Sequence, residues 1–189
     1  GYDVVIVETV GVGQSEATVA NMVDVFLLLI APGGGDELQG IKRGIVELVD
    51  LIVVNKCDGD LLPAAGRIAA DYQGALGLLR SLSVHWKPEV VQCSALEHRG
   101  IDQVWEAVGR CADTLRRTGD LAERRGRQLT DWLWQEVTGG IMDALRRDAK
   151  TSAVAKTLEK EVISQRLLPP AAARQVRESF FRRAERTEE

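Results

Sequence analysis

Four short apolar runs, separated by stretches long enough for helices, constrain the fold of this 189-residue chain more than any other feature. The runs occupy residues 4–7, 25–30, 51–54 and 90–93. They are rich in Val, Ile and Leu and lack polar alternation, which is typical of strands covered on both faces. Strands that alternate with helices indicate βαβ units. We therefore predict a three-layer α/β domain with a mainly parallel sheet.

The pattern changes after about residue 118, because no further strand-like run follows. The remaining apolar residues have helical spacing, with breaks expected at Gly-Gly 139–140 and Pro-Pro 169–170. We predict an α/β domain over residues 1–118 and an all-helical extension over residues 119–189. The arginine-rich segment 116–127 is interpreted as a solvated connection between them.

Composition excludes several classes of partner. The formal net charge of -4 provides no net basic field to attract a nucleic acid. The longest apolar run, residues 25–31, is far shorter than the ~18 to 20 residues needed to cross a bilayer, so no membrane partner is expected. The three cysteines are scattered and include no Cys-x-x-Cys, which indicates reduced thiols in a cytosol-like compartment.

The most specific motif is Asn55-Lys56-Cys57-Asp58, directly after the run 51–54. Ligands of open parallel sheets bind at the carboxyl ends of strands. An Asp carboxylate there can accept hydrogen bonds from N1–H and the 2-amino group of guanine, a pair of donors that adenine lacks. Lys56 can lay its stem over the base, and Asn55 can tie neighbouring loops together. Because Asn and Asp are common turn residues, an ordinary polar turn is the alternative.

A second motif, Ser94-Ala95-Leu96, follows the next strand-like run. It offers a small side chain and free backbone N–H groups close to where the base would lie. Alone it carries little weight, but it falls one βα unit beyond Asp58, where a guanine-binding protein needs it. The two motifs together predict a guanine site.

A third motif begins at Glu8, which directly follows the first apolar run and lies three positions before Gly11. This matches the Asp-x-x-Gly pattern of nucleotide hydrolases with Glu in place of Asp. The carboxylate would act on the water shell of Mg²⁺, and the Gly11 N–H would approach a γ-phosphate. A dinucleotide fingerprint of a dehydrogenase is the alternative, since Gly11-x-Gly13 follows a strand. Glu16 disfavours it, because that position requires Gly or Ala.

A glycine-rich loop, residues 32–44, follows the run 25–30. Three successive glycines are costly to order, so physical reasoning alone favours a flexible connector. The alternative is that its charged residues form pairs that rearrange with the nucleotide. Those residues are Asp36, Glu37, Lys42 and Arg43.

Together these motifs closely resemble the methylmalonyl-CoA mutase-associated GTPases, the MeaB/ArgK family. The resemblance rests on residues 8–16, 34–44 and 55–60 and covers most of the chain. It implies a P-loop GTPase-type fold that binds GTP or GDP with Mg²⁺. It also implies a chaperone of adenosylcobalamin-dependent methylmalonyl-CoA mutase, which gates delivery of the mutase's cofactor and protects the mutase. In the family, the helical extension supports homodimerisation.

The resemblance also assigns roles to residues. Glu8 would be the catalytic and Mg²⁺-site residue, and Gly11 would lie at the γ-phosphate. Residues 33–43 of the glycine-rich loop would become a third switch that reports the nucleotide state to the mutase, against the connector interpretation. The guanine-binding residues would be Asn55, Lys56, Asp58, Ser94, Ala95 and Leu96. The switch residues would be Gly34, Gly35, Asp36, Glu37, Gln39, Lys42 and Arg43.

One departure from the family pattern matters. The phosphate-binding loop Gly-x-x-x-x-Gly-Lys-Ser/Thr does not occur in this sequence. We therefore expect residues 1–118 to be the C-terminal part of a GTPase domain, active in a longer parent but unable to hydrolyse GTP alone. A non-catalytic dimerisation or mutase-interaction module is the alternative. The expected location is the bacterial cytoplasm, or the mitochondrial matrix if the chain is eukaryotic.

Overall fold

The computed structural model of the protein describes residues 1–9, 16–32, 43–77 and 83–184. Within these ranges lie three strands and seven α-helices. The strands are β1 (Leu27–Ile30), β2 (Leu51–Val54) and β3 (Glu89–Gln92). The helices are α1 (Glu16–Ala20), α2 (Arg43–Val46), α3 (Leu62–Leu76), α4 (Ile101–Thr118), α5 (Asp120–Arg147), α6 (Ala149–Ile163) and α7 (Pro169–Ala184).

The three strands form one parallel sheet in the order β1-β2-β3, with Leu51 paired to Leu27 on one side and to Glu89 on the other. The central strand β2 is at most 1% exposed at every residue. Leu51 and Val53 pack with Ala107 of α4, whereas Ile52 packs against α3 on the opposite face. The predicted three-layer α/β architecture with a parallel sheet is confirmed.

The prediction of a strand over residues 4–7 is wrong. Val5 and Ile6 are 73% and 83% exposed, and no strand among the described residues pairs with this segment. A strand requires a neighbour for its backbone N–H and C=O groups, so apolar side chains alone do not make one. Glu8 consequently lies in an exposed, irregular segment.

The chain divides into two compact units, residues 1–128 and 129–189. The predicted domain boundary at 118/119 lies before this division, at the break between α4 and α5, where Gly119 has a left-handed φ of 87°. Residues beyond it are helical, as predicted, and α6 and α7 pack together in the second unit. The prediction of a helix break at residues 139–140 is wrong, because α5 continues through both glycines. A glycine costs a helix only about 1 kcal/mol relative to Ala, too little to end a long one.

The arginine-rich segment 116–127 is not solvated throughout. The side chains of Arg124 and Asp50 are only 12% and 4% exposed and form a bidentate pair with N–O distances of 2.7 and 2.9 Å. Asp50 also accepts the Phe26 N–H at 2.9 Å. The first turns of α5 are therefore bonded to the residues that lead into β1 and β2. None of the helices in the described ranges has the length and apolar character that crossing a bilayer requires.

Candidate functional site

Two loops meet at the carboxyl edge of the sheet: residues 55–58 after β2, called the first loop, and residues 94–99 after β3, called the second loop. Their meeting follows from topology, because neighbouring parallel strands end at the same edge. The Cys57 N–H donates to the Cys93 carbonyl at 3.0 Å, and the Asn55 N–H donates to the Ile30 carbonyl at 2.7 Å. The ends of all three strands are thus joined at this edge.

Asn55 links the two loops through its side-chain oxygen. Oδ1 accepts the Lys56 N–H at 2.7 Å and the Ala95 N–H at 3.0 Å. Lys56 has a left-handed φ of 59°, uncommon for a residue with a side chain, and it is exposed. The Asn55 amide therefore ties the loops together, as the sequence suggested.

Asp58 and Ser94 form the centre of the site. The Ser94 hydroxyl, which is fully buried, donates to Asp58 Oδ2 and accepts the Glu97 N–H at 3.0 Å. Among the described residues no donor reaches Asp58 Oδ1. An ionised carboxylate offers about four lone-pair positions, so this one can accept two further hydrogen bonds from a ligand. Leu96, also predicted at the site, is 82% exposed.

The second loop has a defined backbone. Ser94 and Arg99 exchange backbone hydrogen bonds of 2.8 and 3.0 Å, and His98 between them is left-handed, with φ 52°. Gly100, with φ 80°, brings the chain back to β3, where an added Cβ would lie 2.5 Å from the Gln92 carbonyl oxygen. Only glycine fits there. Sequence reasoning missed Arg99 and Gly100; the glycine just before a helix was the available signal.

The two cysteines beside these loops are buried, and burial raises the pKa of both the Cys57 and the Cys93 thiol. Thiolate is the reactive and metal-binding form, so neither thiol is activated. The site is thus built from amide, hydroxyl, carboxylate and backbone groups, which suit recognition of a hydrogen-bonding ligand.

The fit of the described residues to Mg²⁺ is poor. They contain no group of three or more His, Cys, Asp or Glu side chains placed to hold a metal ion. Glu8 offers one exposed carboxylate, whereas Mg²⁺ takes octahedral oxygen ligands from carboxylates, phosphates and water. Glu8 alone does not form a metal centre.

The structure describes only one of the remaining predicted residues. Arg43 is the first residue of α2, although its side chain is not among those described. The others lie outside the described residues: Gly11, Gly34, Gly35, Asp36, Glu37, Gln39 and Lys42.

Comparison with known proteins identifies the relatives of this fold and site. Residues 1–150 match the family described as methylmalonyl Co-A mutase-associated GTPase MeaB. The chain belongs to this family. The resemblance drawn from the three motifs is thereby confirmed.

Individual relatives agree with this assignment. The mitochondrial methylmalonic aciduria type A homolog of Mus musculus is 43% identical over 173 residues, 92% of this chain and 42% of that protein. The GTPase ArgK of Escherichia coli is 48% identical over 145 residues, 77% of this chain and 44% of that protein. The crystal structure of LAO/AO transport system kinase has a TM-score of 0.76 and 40% identity, covering 94% of this chain and 57% of that one. The chain spans about half the length of the curated relatives it matches.

Proposed function

We propose that this chain is the guanine-binding part of a GTP-hydrolysing protein. In this proposal the protein serves an adenosylcobalamin-dependent methylmalonyl-CoA mutase as a chaperone, gates delivery of its cofactor and protects it. The observation that carries the proposal is the pairing of Asp58 with Ser94 where the two loops meet. The match to the family of mutase-associated GTPases supports the choice of partner. We propose the bacterial cytoplasm as its location, or the mitochondrial matrix in a eukaryote.

Guanine recognition would depend on the carboxylate of Asp58. The Ser94 hydroxyl fixes one oxygen, and the remaining lone pairs accept N1–H and the 2-amino group of guanine. Adenine has an acceptor at N1 and nothing at C2, so it would leave the carboxylate unpaired. A site built to accept hydrogen bonds from such donors discriminates against an analogue that lacks them by a factor of up to about 10⁴ to 10⁵. The exposed stem of Lys56 would cover the base.

Hydrolysis also requires a phosphate-binding loop, and the Gly-x-x-x-x-Gly-Lys-Ser/Thr pattern of that loop does not occur in this sequence. Phosphoryl transfer depends on a cradle of backbone N–H groups and a lysine at the β and γ phosphates. We propose that preceding residues of a longer protein provide this loop and the rest of the Mg²⁺ site, with Glu8 contributing the catalytic carboxylate and Gly11 a γ-phosphate contact. Residues 4–7 support this proposal, because they are exposed and pair with none of the described strands, and a further strand would give them a partner.

The test is to titrate fluorescent GTP into this chain and into one extended upstream through a phosphate-binding loop. We expect tight binding and phosphate release only for the extended chain. Tight GTP binding by this chain alone would contradict the proposed division of the site. Absence of hydrolysis by the extended chain would favour the non-catalytic interaction module, and saturable NADH binding would favour the dehydrogenase alternative.

We further propose that residues 33–43 are a switch read by the mutase. They follow β1, whose last carbonyl, at Ile30, is bonded to Asn55 of the first loop. The switch would therefore begin beside the nucleotide. In the full-length protein, Asp36→Ala combined with Lys42→Ala should leave basal GTP hydrolysis intact and abolish its response to added mutase. An unchanged response would refute this role.

Homodimerisation is proposed through α5. Four apolar side chains recur every four residues on this helix and are 39 to 62% exposed, namely Leu129, Leu133, Val137 and Ile141. Such a stripe is favourable only when another surface covers it. Leu133→Glu should convert the protein to a monomer in sedimentation experiments, whereas Ile163→Glu, at an 81% exposed position at the end of α6, should not. A dimer that survives Leu133→Glu would contradict the proposed interface.

A further inference from the structure

We infer that Arg99 is a positioning residue for guanine recognition, which aligns the Asp58 carboxylate by holding the backbone of the first loop. The inference rests on the proposed function, because it concerns the same site. Arg99 lies in the second loop and donates from Nη2 to the Cys57 carbonyl oxygen. It bonds a backbone group rather than the carboxylate, so any effect on the base passes through Asp58.

Cys57, the residue before Asp58, is held at its N–H by Cys93, which immediately precedes the second loop, and at its carbonyl by Arg99 of that loop. The Cys57 N–H donates to the Cys93 carbonyl at 3.0 Å, and the Cys57 carbonyl accepts from Arg99. That carbonyl belongs to the peptide joining Cys57 to Asp58. A peptide unit is planar, so fixing its carbonyl also fixes the direction in which the chain enters Asp58.

The first loop requires such support because its backbone is strained. Lys56 has φ 59°, a left-handed conformation that costs free energy in residues with a side chain and persists only where the surroundings hold it. Asn55 Oδ1 holds this residue at its N–H. Arg99 provides the corresponding contact one residue further along. Without Arg99, Cys57 would keep the contact of its N–H to Cys93, but the peptide that joins Cys57 to Asp58 would gain freedom at its carbonyl.

Arg99 is itself placed firmly enough to do this. Its backbone is paired with Ser94, and Gly100 closes tightly against β3. Its guanidinium also bonds Glu97, through Nη1 at 3.1 Å, which leaves Nη2 for the Cys57 carbonyl. The planar fork of an arginine can serve two such partners at once, whereas a lysine is a single point charge.

The 2-amino group of guanine allows the alignment of Asp58 to be measured through nucleotide affinities. Hypoxanthine keeps N1–H and the 6-oxo group but lacks the 2-amino group. The ratio of IDP to GDP dissociation constants therefore measures the hydrogen bond between the 2-amino group and the carboxylate. A misaligned Asp58 loses affinity for GDP more than for IDP. Since Arg99 is 59% exposed, we expect its removal to lower the ratio by about tenfold rather than to abolish binding.

The experiment measures GDP and IDP dissociation constants by competition with a fluorescent nucleotide, at fixed salt, in the full-length protein. The variants are Arg99→Ala, Arg99→Lys and, as a matched control, Arg110→Ala, which removes an arginine of similar exposure paired with Glu89. We expect Arg99→Ala to lose about tenfold of the preference for GDP. Arg99→Lys should recover part of it, and Arg110→Ala should match the wild type.

Two results would overturn the inference: an unchanged preference for GDP in Arg99→Ala, or an equal loss of affinity for GDP and IDP. If Arg99→Ala fails to fold, Arg99→Met, which keeps an unbranched stem but has no donor, decides, and a wild-type preference in that variant refutes the role. The Asp58→Ala variant distinguishes a failure of the proposed guanine site from a failure of the proposed role of Arg99. Should Asp58→Ala leave the preference intact, the proposed guanine site fails. Should it abolish the preference while Arg99→Ala does not, only the role of Arg99 fails.

Discussion

Replacing Arg124 with Ala should destabilise the first unit strongly, because it leaves the buried carboxylate of Asp50 without its countercharge. Arg124 donates to both Asp50 oxygens and also to the Asp24 carbonyl, so one substitution removes three hydrogen bonds. Asp50 would keep only the Phe26 N–H among its side-chain partners in the described residues. The hydrogen bonds that Arg124 donates to Asp50 raise the pKa of the guanidinium further above its usual value, so Arg124 stays charged.

The magnitude follows from burial. Breaking a buried ion pair by removing one partner costs about 3 to 5 kcal/mol of the free energy of unfolding. Residual exposure of 12% at Arg124 allows some water to replace it, so we expect about 3 kcal/mol. That is a large fraction of the ~5 to 15 kcal/mol that stabilises a typical domain. For a chain of this size it lowers the melting temperature by roughly 6 to 12 °C.

Urea denaturation followed by circular dichroism measures this cost, and the next residue provides the control. Arg125 also pairs with an aspartate, Asp24, but these side chains are 58% and 42% exposed. Arg125→Ala should therefore lower the free energy of unfolding far less than Arg124→Ala does. Equal destabilisation by Arg124→Ala and Arg125→Ala would refute the reasoning, since both arginines form a two-bond pair with an aspartate and the Arg124 pair is by far the more buried.

Three further predictions follow from local geometry. Gly100→Ala should cost about 1 to 3 kcal/mol of stability in urea denaturation, because of its left-handed φ and the Cβ position 2.5 Å from the Gln92 oxygen; a neutral effect would contradict this. Burial raises the pKa of Cys111 to about 12, so iodoacetamide at pH 8 should label this thiol only on unfolding, and rapid labelling of the native protein would refute it. Hydrogen bonds, of which the one from Ser83 has the largest effect, hold the pKa of Asp120 below its usual value of 3.8. The ionised carboxylate therefore stabilises the fold above pH 3.8, and this contribution is lost as the pH falls through the lowered pKa. Ser83→Ala should raise this pKa in an NMR titration, and an unchanged midpoint would count against the hydrogen bond.

The sequence predicted the fold best where burial is complete. The run 51–54 is β2 with the predicted bounds, because its side chains are buried on both faces and its pattern needs no further context. The runs 25–30 and 90–93 became 27–30 and 89–92, since strands less completely buried depend on their neighbours for their ends. The run 4–7 is equally apolar but is not a strand, because no neighbour among the described residues pairs with it.

The site was predictable in part for a similar reason. Polar residues that directly follow parallel strands must emerge at one edge of the sheet, so Asp58 and Ser94 could be placed together from sequence alone. Arg99 and Arg124 could not, because each bonds a residue 42 or 74 positions away in the chain. No local pattern encodes such a pair. Arginine-rich segments look alike in sequence whether they are solvated or buried against a carboxylate.

The most direct test of guanine recognition by Asp58 replaces one of its hydrogen-bond acceptors with a donor. Xanthine differs from guanine by an oxo group in place of the 2-amino group, so an amide N–H₂ at this position would complement xanthine. The measurement compares dissociation constants for GTP, XTP and ATP in the full-length protein and in its Asp58→Asn variant. We predict a strong preference for GTP in the wild type and a reversal toward XTP in the variant. Equal binding of ATP and GTP by the wild type, or an unchanged preference in Asp58→Asn, would contradict recognition of guanine by this carboxylate.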